Sequence, residues 1–157
     1  MIFSTPSATE RTAQICRAAA RFCALRGWAP VHEMPLPNGR RADMMAIDPA
    51  GLITIVEIKV SRADLMGDCK WIEYLGYCDR FFWAVPARFN LTPFEEPGFQ
   101  PQLCGLIVAD RYDAAVVRDA PLRKLPPARR KAETLRFARR AARRLVGDLD
   151  PGLAGFA

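Results

Sequence analysis

The sequence has little that would let common chemistries be assigned quickly. It contains one histidine, His32, so catalysis or metal binding through several imidazoles is excluded. Its five cysteines, Cys16, Cys23, Cys69, Cys78 and Cys104, form no Cys-x-x-Cys pair, which excludes the usual zinc and iron–sulfur ligand spacings. They read as small core residues of a cytoplasmic protein. No apolar run approaches the length of a membrane span, and no signal-peptide pattern is expected. Internal repeats are absent too. Acidic residues are outnumbered, 17 against 23 Lys and Arg, for a formal charge of +6. This balance favours anionic partners, nucleic acid first, with plain solubility as the alternative. Half of the 157 residues are hydrophobic, enough for one domain with a full core.

Two stretches organise the rest. Arg41 to Ile47 and Ile53 to Val60 read as adjacent β-strands, separated by turn residues Asp48 to Gly51. Side chains alternate along a strand, so Ile53, Ile55, Glu57 and Lys59 share one face. Both faces are mostly apolar, the mark of a central strand covered on two sides. Charge is expensive there and is normally paired or bound to a metal. Asp43 shares a face with Met45 and Ile47. If the strands pair, Asp43, Glu57 and Lys59 converge at one end of a sheet. Two carboxylates and an ammonium are the parts of a divalent-metal site for phosphodiester hydrolysis. A structural Glu–Lys pair is the alternative.

Upstream, the spacing predicts a helix from Thr9, as cap, to Arg26. Glu10 in its first turn either favours the helix dipole or supports metal binding and proton transfer. Trp28 to Leu36 reads as a strand that Pro30 and Pro35 confine to an edge, joined through Asn38-Gly39 to the Asp43 strand. His32 within it reads as a surface or packing residue.

Downstream, Ser61 to Asp64 has the capping-box pattern, which predicts a helix running to about Tyr77. Lys70, Tyr74 and Tyr77 then form one stripe, either an ordinary flank or a surface for phosphate and base contacts. Arg80 to Pro86, Cys104 to Ala109 and Ala114 to Arg118 read as further strands, and Asn90 to Pro101 as loop with a short helical turn. The last helix spans 128–146, with Leu135, Ala138, Ala142 and Leu145 as its docking face. Arg136, Arg140 and Arg143 belong to a basic remainder suited to DNA phosphates, as does Arg41 near the first hairpin. Residues 147–157 are expected to form a loosely ordered tail after a domain of residues 1–146.

The order helix, three strands, helix, strand, with Asp43 on the second strand and Glu57-Ile58-Lys59 on the third, resembles the PD-(D/E)xK nuclease superfamily. The proline that often precedes the Asp is missing. Lys70-Trp71-Ile72-Glu73-Tyr74 is similar to the Gln-x-x-x-Tyr element of RecB-like members, with Lys in place of Gln. The segment from Ser61 to Pro86 resembles the MmcB-type bacterial DNA-repair family, and the match extends weakly over residues 1 to about 146. The resemblance implies an α/β, restriction-endonuclease-like fold with a mixed central sheet flanked by helices. It also implies a DNA-repair endonuclease using Mg²⁺ or Mn²⁺ held by Asp43, Glu57 and the Ile58 carbonyl, with Lys59 at the phosphate. Superfamily members that bind without cutting imply the rival, a DNA-binding or scaffolding module. An RNA-directed nuclease stays open as a third.

Overall fold

The computed structural model describes residues 6–156, and only the backbone of Phe156. Helix α1, Ala8–Leu25, starts at Ser7 rather than Thr9. The Ser7 hydroxyl accepts from the Glu10 amide while the Glu10 carboxylate accepts from the Ser7 amide at 2.7 Å. This reciprocal arrangement satisfies two amides that the first turn leaves orphaned.

Six strands follow: β1 Ala29–Pro35, β2 Arg41–Ile47, β3 Ile53–Ile58, β4 Arg80–Pro86, β5 Gly105–Ala109 and β6 Ala114–Arg118. They form one sheet in sequence order, β1-β2-β3-β4-β5-β6. The β3–β4 and β4–β5 pairs are parallel and the others antiparallel, so the sheet is mixed. With its helices it makes a single-domain α/β fold. The prolines place β1 at the edge, where a missing amide costs no ladder bond.

The central strands read as continuous apolar runs because both faces are covered. All six residues of β3 are buried. Helix α1 covers one face through Ala18, Ala19 and Cys23, which pack on Met44, Val56, Ile58, Phe82 and Ala84. Small residues allow this close approach. On the opposite face Trp71, Tyr74, Phe81, Trp83, Phe94 and Phe99 form an aromatic core. Gly105 is needed where β5 passes Phe82: a Cβ there would lie 2.3 Å from that ring.

Two helices depart from the sequence expectation. The one expected from Ser61 to Tyr77 is broken. Helix α2 is Arg62–Gly67, and after Asp68 the chain resumes as a 3₁₀ helix, Trp71–Tyr77. The proposed Lys70–Tyr74–Tyr77 stripe on one α-helix therefore does not exist. The Ser61 hydroxyl caps α2 through the Asp64 amide. The Asp64 carboxylate turns to Lys59 at 3.7 Å instead of completing a capping box.

Helix α3, Pro127–Leu149, has the opposite face inward. Its buried residues are Glu133 and Phe137, while Leu135 is 60% and Leu145 62% exposed. Phe137 enters the aromatic core, and that single anchor outweighs the weaker leucine and alanine stripe. Beyond α3, Pro151–Phe156 forms a further 3₁₀ turn that folds back, bringing Ala154 beside Gly147. Residues 147–157 were expected as a loose tail; the described part of it is folded.

Candidate active site

Asp43 and Glu57 meet because β2 and β3 are registered by their hydrophobic alternation. The last ladder pair is Met44 with Val56, so the next step sets Asp43 opposite Glu57. There the strands stop pairing through backbone alone. The Asp43 amide donates to Glu57 Oε1 at 2.9 Å, and the Ile58 amide donates to Asp43 Oδ2 at 2.8 Å. Two carboxylates stand in for ladder carbonyls. On the other side, the β1–β2 pairing skips the Glu33–Asp43 step, and Glu33 has φ +50°. A left-handed glutamate is strained, and such strain clusters at functional sites.

The electrostatics are unfavourable without a cation. Burial raises the pKa of Asp43, partly offset by the Ile58 amide and Lys59. Burial and then the Asp43 charge push Glu57 up to about 9. Glu57 therefore holds a proton near neutral pH when nothing else neutralises the pair. The remaining oxygens, Asp43 Oδ1 and Glu57 Oε2, accept no hydrogen bond among the described residues.

Lys59 lies beside them on the same face. Burial opposes its charge, but Asp68, Asp64 and Glu57 outweigh burial and hold its pKa above the ordinary value. Its Nζ is 2.9 Å from Asp68 Oδ2 and 5.9 Å from the Trp83 ring centroid. Asp68 did not stand out in the sequence. The available signal was Gly67-Asp68, a helix-stopping pair inside a segment read as continuous helix.

Hard carboxylate oxygens suit Mg²⁺ or Mn²⁺. Among the described residues, no group of three His, Cys, Asp or Glu side chains is placed to hold a metal. Magnesium commonly takes only one or two carboxylates and keeps several waters, so two acids plus a carbonyl are compatible with it. Glu10 is placed in the α1 capping box, which accounts for its carboxylate. His32 Nδ1 is 2.9 Å from Cys16 Sγ. Burial lowers the His32 pKa, which makes it a neutral packing residue at pH 7.

The expected DNA contacts divide. Tyr74 is buried, stacks on Phe81 with centroids 6.1 Å apart, and donates its hydroxyl to the Arg41 carbonyl. Its ring is unavailable to a base, so the stacking expectation for Tyr74 is corrected. Lys70 is exposed at the start of the 3₁₀ helix. Arg41 reaches Glu33 at 3.6 Å and Arg136 reaches Glu133 at 3.2 Å. Arg140 donates to the Glu33 carbonyl at 3.5 Å, while Arg143 is exposed. With Met34 and Pro35, Arg136, Arg139, Arg140 and Arg143 line a groove of about 620 Å³ between α3 and the β1 edge. The cations expected to point away from the domain instead face this groove, and their long stems cover apolar surface.

A family model described as DNA repair protein MmcB-like matches residues 4–151. The chain belongs to this family. A similar solved structure is that of a protein of unknown function from Silicibacter pomeroyi, 41% identical, with a TM-score of 0.80. The similarity covers 95% of this chain and 96% of that one. Among curated proteins the search finds no match. The MmcB-like chain is thus a DNA repair family protein with a mixed-sheet α/β fold. No helix among its described residues is long and apolar enough to cross a membrane.

Proposed function

We propose that this protein is a divalent-metal-dependent nuclease that hydrolyses phosphodiester bonds of DNA during repair, with a restriction-endonuclease-like fold. The observation that carries the reading is the Asp43–Glu57 pair, a half-buried and a buried acid turned to each other's strands where the ladder ends. Drawing two carboxyl groups together out of water, one of them at the expense of its charge, costs more than strand pairing requires, which ordinary carbonyls would accomplish. In this reading Asp43, Glu57 and the Ile58 carbonyl hold Mg²⁺ or Mn²⁺. The metal supplies acidification of a bound water and charge neutralisation at the phosphate. Lys59 exchanges its Asp68 partner for a phosphate oxygen or the attacking water, held in place by the strand backbone. Its own amide stays fixed to the Ala84 carbonyl at 3.0 Å, which limits how far the side chain can wander.

The rival, a DNA-binding module without turnover, is favoured by one feature: Lys59 already has two carboxylate neighbours. A cleavage assay on duplex, single-stranded and branched DNA, with Mn²⁺ or with EDTA, separates the two. Metal-dependent cutting that Glu57→Gln abolishes is expected. DNA binding with no cutting of any of the three would leave the rival.

The α3 groove gives a separate prediction. Phosphate contacts release counterions, so affinity should fall steeply with salt. Replacing Arg136, Arg140 and Arg143 with Gln should weaken binding to all DNA sequences alike and lower the log–log salt slope by up to roughly 0.9 per lost contact on duplex. Gln nearly preserves helix propensity. Wild-type affinity and slope in the triple variant would make these arginines structural.

A further inference from the structure

A second cavity, of about 550 Å³, opens where the parallel strands β3, β4 and β5 end. Val60 and Ser61 continue β3 into its wall, Pro86 to Asn90 continue β4, and Ala109 to Arg111 continue β5. Gln14, Ile15 and Arg11 of α1 close it from the opposite side. The crevice beyond the carboxyl ends of parallel strands is where open α/β sheets bind ligands. Its volume is within the roughly 300–1,000 Å³ of small-molecule sites.

Four arginines reach this cavity: Arg11, Arg62, Arg88 and Arg111. Elsewhere Arg40, Arg80, Arg118 and Arg130 are matched with carboxylates. None of the four at the cavity has such a partner among the described residues. The one acid in the lining, Asp110, directs Oδ1 to the Tyr112 and Asp113 amides. Arg11 Nε is buried and has no acceptor. A buried donor without a partner is costly, and a ligand oxygen that reached it would relieve the cost. Apart from Gln14, Ser61 and Asn90 the rest of the lining is apolar, with Phe89 half-buried and resting on Phe94 at 5.9 Å. Asn90 accepts from Thr92 through Oδ1, which leaves its amide donors for a ligand.

An anion site joined to an aromatic wall fits one ligand class. We propose that this cavity binds a nucleotide unit of a DNA strand, its phosphate on Arg11 and Arg88 and its base against Phe89. The proposal extends the DNA reading above and needs neither metal nor cleavage. Lys59 and Val60 are consecutive and serve opposite faces of the sheet, so a strand crossing its end would meet both sites.

The test is calorimetric titration of the whole protein, in EDTA, with deoxyadenosine 5′-monophosphate, deoxyadenosine and inorganic phosphate. The monophosphate should bind saturably and about tenfold or more tighter than either fragment. Arg11→Gln and Arg88→Gln should each weaken it about tenfold, with melting curves confirming that the variants stay folded. Phe89→Ala should remove the preference over inorganic phosphate, since stacking is lost while the charges remain. Equal affinity for phosphate and nucleotide, no saturable binding, or folded arginine variants with wild-type affinity would each overturn the proposal. Because EDTA removes divalent metal, a protein that binds nucleotide yet never cuts would retire the nuclease reading and leave this one standing.

Discussion

Lys59→Ala is expected to lower DNA cleavage by roughly 10²-fold or more while leaving DNA affinity within a few-fold. An interaction realised mainly as charge develops on the phosphate affects turnover far more than binding. The geometry adds a second consequence. Asp68 and Asp64 lose their cation, leaving Asp68 Oδ2 without the ammonium it now has at 2.9 Å. The variant should therefore lose modest stability as well as activity. Single-turnover cleavage and DNA binding should be measured on the same folded preparation at a temperature well below its melting point. A variant that cuts as fast as wild type would make Lys59 a structural partner of Asp68.

Asp79→Ala should cost the fold about 3–5 kcal/mol, a large share of the stability of a small domain. The Asp79 side chain is fully buried just before β4. It accepts from the Ile53 amide at 2.7 Å and the Leu125 amide at 2.8 Å, and it forms a bidentate pair with Arg130 of α3. One carboxylate thus ties the start of β3, the entry to α3 and the helix itself. Truncation leaves a half-buried guanidinium and two amides unpaired. Melting temperature should fall by on the order of 10 °C. The pH dependence has a definite sign. Burial alone would raise the Asp79 pKa, but Arg130 and the two amides outweigh it and hold it below the usual range. Its stabilisation is complete above the unfolded value of about 3.9 and is lost as pH falls through the lower folded value. Denaturant titrations between pH 7 and 2 should show a steeper acid limb in wild type than in Asp79→Asn. Equal stabilities at neutral pH would contradict the anchoring role.

Strands were legible because their signal is local. The β2, β4 and β6 limits follow from β-branched and aromatic runs bounded by turn residues, and two-faced burial of β3 follows from its lack of alternation. The juxtaposition of Asp43 with Glu57 was legible for the same reason: face and order leave little freedom once β2 and β3 pair. What failed depended on contacts distant in sequence. Capping at Ser61 was visible, but the halt at Gly67-Asp68 was hidden by continued helical spacing, and with it the partner of Lys59. In α3 the leucine stripe looked like the inner face. Phe137 instead meets the aromatic core, and Glu133 draws Arg129 and Arg136 around it, so the leucines turn out. Asp79 carried no motif, since its role consists of partners up to 51 positions away.

The most direct test of the central reading is calorimetric titration of Mn²⁺ into wild type, Asp43→Asn and Glu57→Gln. Each substitution removes an anionic ligand while relieving the unfavourable contact of a buried and a half-buried acid, so each variant should fold at least as well without metal. Wild type is expected to bind one Mn²⁺ with release of protons at neutral pH, because Glu57 must ionise to become a ligand. Both variants are expected to lose that binding. Unchanged Mn²⁺ affinity in the two variants, or no binding by wild type, would contradict the assignment of Asp43 and Glu57 as a metal site.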